Sequence, residues 1–136
     1  MARVTVRESV TLAGRAERAR VARAFVGGVL GPGHPCQNDA ELLVSELFGN
    51  SVRHSGSGAP GEMVTVAVRT WGEVVRVEVT DRSGPAVPRL RPARRDAEGG
   101  RGLGLVAALA VRWGFEQGNG RTTTWFELQG RSLPST

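Results

Sequence analysis

Apolar residues recur along the chain with two periods. Between Ala16 and Val29 they return every third or fourth position (Ala16, Ala19, Ala22, Phe25, Val26, Val29), with arginines between them, which predicts an amphipathic helix. Leu30-Gly31-Pro32-Gly33 then supplies helix breakers. A second helix is predicted from Asn38 or Asp39, both good N-cap types, through Ala40, Leu43, Val44, Leu47, Phe48, Ser51 and Val52. Residues 103–110 predict a third. Looser alternation predicts strands over 3–12, 63–70, 74–80, 111–117 and 122–128. Trp71-Gly72-Glu73 and Gly118-Asn119-Gly120 are tight turns between strand pairs, and 55–61 is a Gly/Ser loop. Residues 81–101 are rich in Pro, Gly and Arg and lack periodicity. Irregular segments of that length in compact domains are often functional. The order β-α-α-β-β-loop-α-β-β does not alternate strictly. It therefore predicts an α+β two-layer sandwich, a largely antiparallel or mixed sheet with three helices on one face.

Length narrows this to one domain: 136 residues suit a single core. We expect that domain to span 1–130, with 131–136 as a flexible tail. Hydrophobic residues at 40% and charged residues at 23% are globular proportions. No apolar run is long enough to span a bilayer, and the N-terminus lacks the build of a signal peptide. The expectation is a cytoplasmic protein without membrane contact. A lone Cys36 can form no internal disulfide and excludes a multi-cysteine zinc site. The net charge of +5 comes with eighteen basic residues, all arginine, scattered from Arg3 to Arg131. Without interleaved aromatics or a reader motif, this pattern predicts a solvated surface and no direct nucleic-acid binding.

Three clusters could carry chemistry. Glu46 and Asn50 stand one turn apart on the second helix, with Arg53 and His54 following. A carboxylate there can accept a proton, and an amide oxygen can ligate Mg²⁺. The same spacing also suits a solvated helix face. Asp81, at a strand end, can accept a hydrogen bond from an exocyclic amine, and Gly84 would let the backbone approach a ligand. Alone, the segment reads first as a plain Asp-x-x-Gly turn. Gly99-Gly100-Arg101-Gly102-Leu103-Gly104 precedes a helix, where glycines expose N–H groups to an anion and Arg101 adds charge. It could also be only a flexible hinge.

Taken together and in order, Glu-Leu-Phe-Gly-Asn-Ser-Val-Arg-His (46–54), Asp-Arg-Ser-Gly (81–84) and Gly-Arg-Gly-Leu-Gly-Leu (100–105) resemble the N, G1 and G2 boxes of the GHKL (Bergerat-fold) ATP-binding superfamily. Within it the chain is similar to the anti-sigma-factor serine/threonine kinases of the RsbW type, found in actinobacteria. The resemblance implies ATP and Mg²⁺ as cofactors and an ATP lid over 82–101. It implies Glu46 as general base and Asn50 as metal ligand. Asp81 and Gly84 would lie at the adenine, and Arg53, Arg101, Gly102, Leu103 and Gly104 on the phosphate side. Thr123 matches a strand threonine near the base, with Thr122 the neighbouring alternative. Implied partners are a sigma factor and a small antagonist protein phosphorylated on serine, and the family's habit implies a possible homodimer. The alternative is a non-catalytic, ATP-dependent protein-interaction module. Gly49 departs from the family, which usually has Ala or Thr there.

Overall fold

The computed structural model describes residues 6–54, 62–82 and 98–130. Strict valine alternation builds the centre of its sheet. In β2 (Met63–Trp71) Val64, Val66 and Val68 are fully buried, and in β3 (Val74–Arg82) so are Val75, Val77 and Val79. The residues between them point to the opposite face, as the two-residue period requires. β1 (Val6–Ala13) pairs with β2. β4 (Arg112–Gly118) and β5 (Arg121–Gln129) form a hairpin. Its turn is Asn119-Gly120, both with positive φ (55° and 73°), the geometry that matches strand twist in a two-residue hairpin. The strand order is β1-β2-β3-β5-β4, and every pairing is antiparallel. The sheet is thus not mixed.

Helices α1 (Ala19–Leu30), α2 (Gln37–His54) and α3 (Glu98–Leu109) complete an α+β architecture. Ala22 and Val26 of α1 and Ala40, Leu43, Val44, Leu47 and Phe48 of α2 are buried in one core with the valines, Val106, Phe126 and Leu128. Cys36 belongs to that core, and burial pushes its thiol pKa up, with the charge of Asp39 adding to it. The largest boundary differences from expectation lie at two helix starts. Residues 16–18 form a 3-10 turn before α1. Helix α3 begins at Glu98 rather than 103, so the first glycines of the third cluster are helical. Glycine is a poor helix former, which hid this turn from sequence periodicity. No helix among the described residues is long and apolar enough to cross a membrane.

The other face of the sheet is held by polar pairs. Thr11 meets Thr65 at 2.9 Å, and Thr80 meets Thr123 at 2.8 Å. Glu127 accepts from Arg76 at 2.9 Å and from Arg112 at 2.7 Å, while Arg76 also bonds Glu78 at 2.7 Å. The Arg76 guanidinium lies 4.0 Å from the centroid of the Trp125 ring, a cation–π arrangement.

Candidate functional site

Asp81 is the next-to-last residue of β3, two positions beyond Val79. That parity puts it on the core face, and the residue is only 6% exposed. Its register partner on β5 is Thr122, which is also buried. From α2, the buried Ser51 hydrogen-bonds the Asp81 carboxylate. Burial pushes the Asp81 pKa up to about 6, and the Ser51 bond pulls the other way. Desolvation wins because a charge removed from water loses more than one neutral hydrogen bond returns. Oxygen Oδ1 is buried, with no hydrogen-bond partner among the described residues. An orphaned acceptor of this kind costs free energy unless some group meets it. The site therefore presents a buried acceptor held beside a hydroxyl.

Helix α2 carries the second part. Leu43, Leu47 and Phe48 anchor it to the core, leaving Glu46 and Asn50 half-buried one turn apart. Asn50 precedes Ser51 in the chain, so the Ser51–Asp81 bond brings the amide to the same region as the β3 carboxylate. Asn50 Oδ1 accepts from Arg53 Nη2 at 3.0 Å. An amide oxygen suits a hard cation such as Mg²⁺, and its second lone pair remains available. The donor set therefore fits such an ion. At Gly49 an added Cβ would lie 3.2 Å from Arg53 Nη1, the movable end of a long side chain. We therefore expect Gly49→Ala to stabilise the protein by about 0.5–1 kcal/mol through helix propensity. Urea unfolding checks this. A loss of stability would mean that Arg53 is pinned in place.

Glu46, Asn50 and Arg53 thus follow one another along α2, with Arg53 bonded to Asn50, while Ser51 of the same helix contacts Asp81. Arg101, Gly102, Leu103 and Gly104 sit in the first turns of α3, which packs against α2, but the side chains of 101–103 lie outside the described residues. So do the side chain of His54, Gly84 and most of the 82–101 segment. Thr123 requires a correction. It pairs with Thr80 on the face opposite the helices, because one step along a strand reverses the side chain. Thr122 is the threonine beside Asp81. Ser51 was missed as a contributor and Thr122 stood only as the alternative to Thr123, and both had a signal. Ser51 falls on the apolar stripe of α2, and Thr122 shares the parity of the buried Phe126 and Leu128.

A family model described as the histidine kinase-like ATPase domain matches residues 12–128. An uncharacterized protein of Streptomyces coelicolor is 38% identical over 89 residues, which is 64% of this chain and 82% of that one. Among solved structures, the RsbU and RsbW domains of Rv1364c from Mycobacterium tuberculosis align with a TM-score of 0.64 at 25% identity. That alignment covers 94% of this chain and 34% of that one. The chain spans about a third of that structure's length.

Proposed function

The chain belongs to the histidine kinase-like ATPase domain family, and from that premise we propose that it is a regulatory serine/threonine protein kinase of the RsbW type. The observation that carries the nucleotide site is the orphaned, buried Asp81 Oδ1. The exocyclic amine of adenine is a donor of the kind this acceptor needs. Ser51 fixes the carboxylate from behind, which leaves the other oxygen for the base. Asn50 would hold Mg²⁺, which when bound neutralises phosphate charge. Arg53 on α2 and Arg101 on α3 would face the phosphates.

Glu46 is the proton acceptor in this reading. It takes the hydroxyl proton of the incoming serine as that oxygen bonds to the γ-phosphorus, and ADP departs with the bonding electron pair. Most of the rest is positioning and electrostatics. The serine lies on a small antagonist protein. Between phosphorylations the domain holds a sigma factor, and both roles are proposed from the likeness to the RsbW domain.

Glu46→Ala is expected to lower phosphate transfer to the antagonist by about 10²–10⁴-fold, the usual worth of general-base catalysis. ATP affinity should change little. Transfer from γ-labelled ATP, measured beside calorimetric ATP binding, checks both. Transfer at the wild-type rate would remove the general-base role. Absent transfer with intact ATP binding in the wild type would favour a nucleotide-dependent binding module.

A further inference from the structure

Asp81 and Thr122 face the helices, so their chain neighbours Thr80 and Thr123 face the other way. Those two hydroxyls lie 2.8 Å apart and line a polar groove at the hairpin end of β4 and β5. Its volume is about 590 Å³, within the range of small-molecule sites. Glu116 lies directly opposite Thr123, and Gly118 directly opposite Arg121. Directly opposite residues share a face, so all of them border the same groove.

Elsewhere on that face Arg69, Arg76, Arg82 and Arg112 each pair with a glutamate. Glu116 and Arg121 are diagonal neighbours across the hairpin, a separation that long side chains can bridge. Neither forms an ion pair among the described residues. Gly118 adjoins both. Its φ is not positive, and an added Cβ would meet nothing within 4 Å. Neither turn geometry nor packing therefore calls for glycine at 118. What a side chain there would occupy is the groove itself.

We propose that this groove binds a small zwitterion of the α-amino-acid class, with its ammonium on Glu116 and its carboxylate on Arg121. A guanidinium takes a carboxylate through two parallel N–H donors. An ammonium carries three donors, enough for the Glu116 carboxylate and a threonine oxygen together. Thr80 and Thr123 spend one hydroxyl proton on each other, which leaves the second proton and further lone pairs for the ligand. A simple anion meets Glu116 as well as Arg121, and a simple cation meets Arg121 as well as Glu116. The pair therefore selects a ligand that carries both signs. Gln117 and Asn119 also line the groove, so a polar side chain suits the room beyond the charged ends. Both charged residues are exposed, and the expected affinity is accordingly in the millimolar range. The groove shares no residue with the proposed nucleotide site.

The test is a titration of the full chain with L-glutamine, without nucleotide, followed through the backbone amide NMR signals. Two analogues run beside it. N-acetyl-L-glutamine lacks the ammonium, and L-glutaminamide lacks the carboxylate. Saturable shifts are expected at Thr80 and across 116–123 with L-glutamine. Each analogue is expected to bind about two- to fivefold more weakly, the worth of one exposed ion pair. Glu116→Gln is expected to erase the preference for L-glutamine over its N-acetyl form. Gly118→Thr is expected to abolish the shifts and to leave the melting transition unchanged or higher, since threonine favours a strand. L-glutamine that moves no signal of the hairpin overturns the proposal. So do analogues that bind as tightly as L-glutamine. A Gly118→Thr variant that binds like the wild type overturns it too, because the ligand then lies elsewhere.

Discussion

Asp81→Asn is expected to weaken ATP binding by roughly 10- to 150-fold, the worth of one hydrogen bond to a charged group. It is also expected to stabilise the ligand-free protein at neutral pH. The two effects share one cause. The buried carboxylate has its pKa pushed up to about 6, from 3.8 in the open chain. A folded-state pKa above the unfolded value means that the fold prefers the protonated form. The stability this group contributes is complete below about pH 4 and is lost as pH rises through 6. Above pH 7 the loss is on the order of 2–3 kcal/mol. Asparagine carries no charge and suffers no such loss. Urea unfolding of both proteins at pH 8 and pH 4 checks this. The variant should be the more stable at pH 8, and the gap should close at pH 4. A variant less stable at pH 8 would contradict the buried-charge account. The affinity of the wild type for ATP should fall below pH 6, where the acceptor gains its proton. Sites that sacrifice stability for function often behave in this way.

Glu127→Ala is expected to cost about 3 kcal/mol of stability and to leave ATP affinity unchanged. Glu127 is only 3% exposed. One oxygen takes Arg112 through two nitrogens, at 2.9 and 2.7 Å, and the other takes Arg76 at 2.9 Å. Removing one member of a buried pair leaves the other charge uncompensated, typically for about 3–5 kcal/mol. Arg76 keeps Glu78 and its contact with Trp125, which sets the low end of that range. The Arg112 side chain is 68% exposed, so Arg112→Ala should cost less than about 1 kcal/mol. Denaturant unfolding of both variants tests the contrast. Equal costs would mean that burial does not rank these two partners. The network lies on the face away from Asp81, so nucleotide binding is the control.

The strands of the central sheet were legible because the valines in 64–68 and 75–79 fall at every second position, between Thr65, Ala67, Arg76 and Glu78, and only one register buries them all. The α2 stripe was equally clear, and with it the spacing of Glu46, Asn50 and Arg53. The start of α3 was not, because its first turns carry glycines that give no apolar period. The placement of β5 between β3 and β4 depends on where the α3 connection returns to the sheet, which no local pattern encodes. Matching a motif favoured Thr123, with Thr122 as the alternative, and it is Thr122 that lies opposite Asp81. Counting back in twos from Phe126 would have selected Thr122. Local periodicity was more reliable here than alignment by motif. The burial of Asp81 could not be read from its position at a strand end. It follows from Ser51, which only the packing of α2 on β3 brings near.

The most direct test of the nucleotide site is a calorimetric titration of the wild-type protein with Mg²⁺·ATP and, in parallel, with Mg²⁺·ITP. Inosine replaces the exocyclic amine by a carbonyl oxygen, so an acceptor would face an acceptor. The account predicts saturable ATP binding and ITP binding at least about tenfold weaker, since a site built to meet a hydrogen-bonding group rejects an analogue that lacks it. Equal affinity for the two nucleotides, or no ATP binding at millimolar concentration, would contradict it.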